Sequence, residues 1–264
     1  MMSRTLPLSD GRSVRLLEAG AGEPLILLHG VGLRAEAWEP QIGHLSRHAR
    51  VIAADLPGHG ESDSLTPGAK LPDYVVWAGR LIEALGLDGA SIAGHSMGAM
   101  IAAGLAVERP DLVRRVALLN AVYKRRPEAR AAVEARAREI AAGSGNQDAP
   151  LSRWFDADQA AFREQVAIWL RQIDRNGYAT AYQAFAEGDR VYGDRLGEIR
   201  CPALVLTGDG DPNSTAAMTE AMAAQMPHGR ALVIAGHRHM VNLTAPQAVS
   251  DALSEWLQAA EVVP

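Results

Sequence analysis

The 264-residue chain predicts a doubly wound α/β domain, with a mostly parallel sheet and a helical insertion, on three observations. Six short, near-continuous apolar runs, bounded by Gly, Pro or Asp, have the pattern of strands buried on both faces. Segments with helical spacing lie between them, and strand alternating with helix is what a doubly wound sheet requires. From about residue 121 to residue 197 the alternation stops, and only charged, Ala-rich helical pattern remains.

The first stretch, RTLPLSDGRSVRLLEA, places Asp10 and Gly11 at a hairpin turn and predicts two short antiparallel strands at one edge of the sheet. PLILL from Pro24 is the first buried strand, and a helix follows over Trp38 to Leu45. RVIAA from Arg50 precedes a helix over Tyr74 to Leu85. ASIAG from Ala90 runs into a helix over Met97 to Val107, and VALLN from Val116 is the next strand. The insertion offers RAAVEARAREIAA and SRWFDADQAAFREQVAIWLRQI as helices, separated by GSGNQDAP, which ends at Pro150. PALVL from Pro202, a helix over Thr215 to Met226, ALVIA from Ala231 and a helix over Val249 to Leu257 close the chain. The expected division is a core of residues 1–120 and 198–264 and a helical lid of residues 121–197.

Composition narrows the function classes. Hydrophobic residues are 48% and charged residues 22%, ordinary globular usage that argues against a disordered chain. With 26 Lys and Arg against 31 Asp and Glu, the net charge of −5 supplies no overall field to attract nucleic acid. The N-terminal MMSRTLPLSDGR has no apolar stretch of signal-peptide length, and no segment approaches the roughly 20 apolar residues that cross a bilayer. A cytoplasmic protein with no membrane partner is expected, and a homo-oligomer is compatible with all of this. Cys201 is the one cysteine; it precedes Pro202 and ALVL and reads as a small buried hydrophobe at a strand entrance.

The chemistry concentrates in GHSMG, Gly94 to Gly98, which sits between the strand ASIAG and an Ala-rich helix. That is the strand, tight turn and helix context that a Gly-x-Ser-x-Gly nucleophile needs. The serine must occupy a strained turn, and flanking side chains would collide with the neighbouring strand and helix. Ser96 is thereby the candidate nucleophile, and the helix after it aims backbone N–H groups at the place where an oxyanion would develop.

HGVG at 29, DLPGHGES at 55 to 62, GHSMG at 94 and TGDGDP at 207 together resemble α/β-hydrolases in order and approximate spacing, over nearly the whole chain. SRWF at 152, NGYATAYQAFAEGD at 176 and IRCPALVLTGDGDP are most similar to 3-oxoadipate enol-lactonase-like hydrolases. Ser96 separates the chain from haloalkane dehalogenases and epoxide hydrolases, which carry Asp as nucleophile. The resemblance implies the α/β-hydrolase fold, a Ser-His-Asp triad and no metal or organic cofactor. It implies Asp211 as the triad carboxylate, with Asp209 as its rival, since the position after the preceding strand is Asn120 and carries no carboxylate. It also implies an oxyanion hole from the backbone N–H groups of Val31 and Met97, a loop-holding part for His29, and a structural loop for DLPGHGES in place of a metal or second triad.

Two histidines compete for the base in AGHRHMVNLTAP. In enol-lactonase-like relatives the catalytic histidine precedes an apolar residue and stands seven positions before the proline that opens the last helix. His239, Met240 and Pro246 match that pattern, whereas His237 stands nine positions away. The order Ser, Asp, His is then the order of this fold. In the lid, Trp154, Phe155 and Trp169 are candidate apolar walls for substrate and Arg153 a candidate carboxylate contact, against the plainer reading of lid core and solvated cation.

The expected enzyme is a serine hydrolase that cleaves a small-molecule carboxylic ester or lactone through an acyl-enzyme. Cleavage of a C–C bond by the same triad is the alternative, perhydrolase activity is a further one, and a non-catalytic receptor on the same fold is the reading from another class.

Overall fold

The sheet of the computed structural model, which describes residues 1–146 and 148–259, has eight strands in the order β1-β2-β4-β3-β5-β6-β7-β8. The strands are β1 (Met2–Pro7), β2 (Ser13–Ala19), β3 (Pro24–Leu28), β4 (Arg50–Ala54), β5 (Ala90–His95), β6 (Val113–Leu119), β7 (Ala203–Gly208) and β8 (Gly229–Ile234). β2 is antiparallel to both of its neighbours, and every pair from β4 through β8 is parallel. Among the described residues the helices are α1 (Glu39–Leu45), α2 (Leu71–Ala84), α3 (Met97–Glu108), α4 (Pro127–Ala141), α5 (Leu151–Trp154), α6 (Ala160–Gln172), α7 (Arg175–Gly188), α8 (Ala216–Ala223), α9 (Val241–Thr244) and α10 (Pro246–Leu257). The hairpin edge, the mostly parallel sheet and the helical insertion between β6 and β7 agree with the sequence. Gln147, within the stretch expected to separate the insertion's helices, lies outside the described residues.

The apolar strand runs are explained by burial on both faces. Ile26, Leu28, Ile52, Ala54, Ile92, Val116, Leu118 and Val205 belong to one buried cluster, with α2, α3 and α8. Their strand neighbours Leu25, Leu27, Val51, Ala53, Ala93, Ala117, Leu119, Leu204 and Leu206 belong to the other, with α1 and α10. Successive side chains point to opposite faces, so a strand covered on both sides is apolar at every position.

Several boundaries differ from the sequence pattern for identifiable reasons. β6 begins at Val113, not Val116, because Arg114 and Arg115 continue the strand while hiding its apolar signal. The buried Arg115 donates from Nε to the Ala259 carbonyl at 2.9 Å. α2 begins at Leu71 because the Asp73 carboxylate accepts the Lys70 N–H at 2.7 Å and Pro72 suits the first turn. Trp38 closes a short 3-10 turn, Ala35–Trp38, that precedes α1.

The insertion is pinned at its stem. The buried Asp189 carboxylate, just after α7, accepts the Arg125 N–H at 2.7 Å, and the Arg130 guanidinium donates to it at 3.0 Å. Asp174 caps α7 by accepting the Gly177 N–H at 2.6 Å. Among the described residues no helix is long and apolar enough to cross a membrane.

Candidate active site

β5 delivers Ser96 to the carboxyl edge of the sheet in a conformation that side chains rarely adopt, φ 55° and ψ −114°. Such a backbone costs about 1–3 kcal/mol and persists only where its surroundings enforce it. The flanking glycines are part of that enforcement. A Cβ on Gly94 would fall 2.1 Å from the Gly98 carbonyl oxygen, and one on Gly98 would fall 2.2 Å from the Leu28 carbonyl oxygen. The Ser96 N–H is tied across to β6 through the Leu119 carbonyl, at 2.8 Å.

The loop before α9 carries His239, and the loop after β7 carries Asp211. His239 Nδ1 lies 2.7 Å from Asp211 Oδ2, with both side chains buried. The same carboxylate accepts the Asn120 side-chain amide at 2.8 Å and the Asn213 N–H at 2.8 Å. Burial pushes the Asp211 carboxyl up, but the His239 charge and these hydrogen bonds outweigh it and hold the group below its usual range. The rivals stand elsewhere. The exposed Asp209 accepts the Gly236 N–H at 2.8 Å, and His237 Nδ1 meets the Thr244 hydroxyl at 3.0 Å.

Three other buried histidines frame the site. The Leu56 N–H donates to His29 Nε2 at 2.9 Å, so His29 carries its proton on Nδ1, which donates to the Gly30 carbonyl at 2.8 Å. The Gly32 N–H donates to His59 Nε2 at 2.9 Å, and His59 Nδ1 donates to the Pro57 carbonyl at 3.1 Å. These two side chains stitch the HGVG loop to the DLPGHGES loop. His95, beside Ser96, donates from Nε2 to the His239 carbonyl at 2.8 Å and packs its ring 5.0 Å from the His239 ring. Burial pushes His29 down to about 4, and His59 and His95 to about 3. In the DLPGHGES loop itself, the buried Asp55 accepts the Ala35 N–H at 2.7 Å and the Glu61 N–H at 3.1 Å, an architectural use of its carboxylate.

The loop so held brings Val31 near Ser96: a Cβ on the adjacent Gly30 would lie 3.1 Å from Ser96 Cβ. Among the described residues the N–H groups of Val31 and Met97 have no protein acceptor. Two free, buried backbone donors beside a strained serine are what a developing oxyanion requires.

The insertion covers this floor. Trp154 stacks on His239 with centroids 5.6 Å apart and planes inclined by 29°. Phe155 is buried and Trp169 half-buried in the same apolar cluster. Leu170 and Tyr178 reach the HGVG loop instead: their side chains lie 2.7 and 3.3 Å from where a Cβ on Gly32 would stand, at a φ of +85° that already favours glycine. Arg153 is exposed and donates to the Asn213 side chain at 2.5 Å, one residue pair from Asp211. Arg238 joins Asp156 at 2.6 Å and donates to the Ser152 carbonyl at 3.3 Å.

Sequence reasoning passed over Asn120 as a donor, His95 as a brace and Arg238 as a lid tie. The available signals were the amide at the strand-end position where a carboxylate had been sought, and the polar residue inside GHSMG. Cys201 is half-buried and its thiol is pushed up to about 11 by burial, as an inert strand-entrance residue should be. Among the described residues no group of three His, Cys, Asp or Glu is placed to hold a metal ion. An open groove of about 530 Å³ runs between α4 and the start of α7, on the insertion, and touches none of the candidate residues except through Tyr178.

Residues 25–252 match the model of the alpha/beta hydrolase family. The chain is 52% identical over 260 residues to an (E)-2-((N-methylformamido)methylene)succinate hydrolase of Acinetobacter baylyi, covering 98% of this chain and 99% of that protein. It is 26% identical to a 2-(acetamidomethylene)succinate hydrolase of Mesorhizobium japonicum, over 94% of this chain and 92% of that one. Among solved structures, the enol-lactonase of Burkholderia xenovorans LB400 superposes with a TM-score of 0.86 at 25% identity, covering 96% of this chain and 99% of that one. A family match over most of the length, joined to a strand, elbow and helix geometry of this kind, makes the chain a hydrolase and a member of the alpha/beta hydrolase family.

Proposed function

We propose that the chain hydrolyses an acyl bond in a small dicarboxylate, of the amidomethylene-succinate type, through Ser96, His239 and Asp211. Two lid arginines that lack a carboxylate partner carry the choice of substrate class. Tyr178, Tyr182 and Phe185 form a ladder of edge-on rings along α7, each 5.7 Å from the next, that starts at the HGVG loop. Arg136 lies over the Tyr182 ring at 5.6 Å and the buried Arg125 over Phe185 at 4.4 Å. Burial raises the Tyr182 phenol, against the pull of Arg136, Arg125 and Arg153, whose charges all reach it. Asp189 serves Arg125 and Arg130, but among the described residues Arg136 and Arg153 have no carboxylate partner. Arg136 is half-buried and Arg153 exposed; a half-buried cation without a counter-ion is costly, and a substrate bearing two carboxylates would offset that cost at Arg136 and give Arg153 a partner. The 52% identical relative, whose name specifies a substituted succinate, supports the same class.

The chemistry follows from the floor. Neutral His239 takes the Ser96 proton as the hydroxyl attacks the acyl carbon, and Asp211 stabilises the imidazolium. The oxyanion is held by the N–H groups of Val31 and Met97. The imidazolium then gives its proton to the departing nitrogen or oxygen, and water, deprotonated by His239, releases the acid from Ser96. The ester and lactone reading differs only in the leaving atom. C–C bond cleavage by the same residues is favoured by one point: an amidomethylene substrate carries its nitrogen on a double bond conjugated with a carboxyl group, a β-dicarbonyl-like pattern.

Product analysis separates these readings. The purified protein is offered (E)-2-((N-methylformamido)methylene)succinate, its diester and a simple neutral ester, with products identified by mass. Acyl hydrolysis releases formate with the acyl–nitrogen bond broken, whereas C–C cleavage leaves that bond intact. Equal turnover of the diester and the free dicarboxylate would overturn the dicarboxylate assignment, as would an unchanged ratio of their Michaelis constants in Arg136→Ala and Arg153→Ala.

A further inference from the structure

Asn120 lies at the junction of all the triad's supports. It follows β6 with φ 48°, fully buried, its N–H donating to the Leu206 carbonyl at 2.7 Å and its carbonyl accepting the Ser214 hydroxyl at 2.6 Å. The preceding residue, Leu119, accepts the Ser96 N–H at 2.8 Å. The Asn120 amide nitrogen is 2.8 Å from Asp211 Oδ2, the oxygen that also receives His239 Nδ1, 3.2 Å from the Thr207 hydroxyl and 3.4 Å from the Arg238 carbonyl. Its orientation is fixed by chemistry. The Thr207 hydroxyl donates to the Ser214 carbonyl at 2.6 Å and so presents only acceptor capacity to Asn120, and turning the amide over would set its oxygen against a carboxylate. Among the described residues Asn120 Oδ1 has no partner, so the side chain is anchored there through its nitrogen.

We infer that Asn120 is a positioning residue of the triad, whose amide fixes the Asp211 carboxylate against His239 while its backbone ties the acid's loop to the nucleophile's strand. The inference rests on the triad reading above. Three donors lock the carboxylate plane: His239, Asn120 and the Asn213 N–H. Without the Asn120 donor, Oδ2 holds only the imidazole, and the carboxylate keeps two of its three restraints, with more freedom to turn about its bond to Cβ. The other titratable or charged groups around the pair are the neutral His95, packed on His239, and the cations Arg153, bound to Asn213, and Arg238, paired with Asp156.

Asn120→Asp is the informative variant, because Asp keeps the shape and tolerates the left-handed backbone while replacing the donor by a like charge. Two carboxyls at this distance share one proton, and the second titrates far above the usual range. While the proton is present, the new carboxyl can donate as the amide did. The expected result at pH 8 is a kcat reduced on the order of 10- to 100-fold, the scale on which outer-shell partners act, with KM unchanged. Lowering the pH toward 6 should restore much of that loss relative to wild type, giving an alkaline limb that the wild type lacks. Asn120→Gly, which accepts the backbone without strain, should lose kcat by a similar factor with no new limb. Wild-type kcat in both variants, or a loss in Asn120→Asp that is the same factor at every pH, overturns the inference. Asp211→Asn serves as the control: full activity there would remove the triad reading itself, and its inactivity beside a fully active Asn120→Gly would remove only the part assigned to Asn120.

Discussion

Acid should unfold this protein through three buried histidines outside the proposed triad. His29, His59 and His95 ordinarily titrate at 6.5 but are held at about 4, about 3 and about 3 by burial in the folded chain. Their folded values are depressed, so the unfolded chain binds protons that the folded chain refuses. The stability they contribute is fully present above pH 6.5 and is lost progressively from there down to the folded values. At pH 5 each histidine shifts the balance by about 2 kcal/mol, and the three together by about 6 kcal/mol relative to pH 8. A domain's whole stability is about 5–15 kcal/mol, so most of it is expected to vanish within this window. The assay is urea unfolding followed by circular dichroism from pH 8 to pH 5, with proton uptake on unfolding measured at pH 5.5. About 2.7 protons are expected from these groups, the sum of three sites nearly full in one state and nearly empty in the other. His59→Gln, whose side-chain oxygen can still accept the Gly32 N–H, should remove about one of them and flatten the slope by about a third. An uptake below one proton, or an unchanged uptake in His59→Gln, would refute the reasoning.

Other expectations concern the catalytic floor. Ser96→Ala should lower turnover by on the order of 10⁶ with an unchanged melting temperature, and a fluorophosphonate probe should label only the wild type. His239→Ala should lose several orders of magnitude in turnover, whereas replacing His237, whose ring has Thr244 as its one hydrogen-bond partner among the described residues, by Ala should cost far less; steady-state kinetics of the pair decides it. Gly98→Ala drives a methyl group to 2.2 Å from a β3 carbonyl, so the elbow cannot close, and the variant should show neither probe labelling nor the wild-type melting transition.

Much of the fold was legible because strands covered on both faces must be apolar at every position, which PLILL, RVIAA and ASIAG display without interruption. Element ends were less legible where polar chemistry overrode the apolar pattern, as at Arg114 and Arg115 in β6 and at the Asp73 cap of α2. For the site, a short motif is informative where backbone geometry dictates the residue: only glycine fits at positions 94 and 98. Asn120 and His95 were missed because they act through contacts with residues 91 and 144 positions away, and an amide or an imidazole at one position does not announce a distant partner. Leu170, beside the candidate Trp169, is the residue that presses on the HGVG loop, and an aliphatic side chain in a helical pattern gives no sign of such a contact.

The strap formed by α5 has a consequence for how such enzymes can be recombined. Trp154 lies flat on His239, and Asp156 and the Ser152 carbonyl engage Arg238, the residue just before it. Residues 152–156 are thus spliced into the insertion by the chain but belong mechanically to the core. A chimera that imports a whole foreign lid would sever the His239 loop from its bracket and inherit a mismatched partner for Arg238. One that keeps this pentapeptide and exchanges α4 and α6 around it leaves the bracket on His239 intact while changing what the roof presents below. The useful crossover points therefore lie inside the lid, on either side of α5, not at its ends.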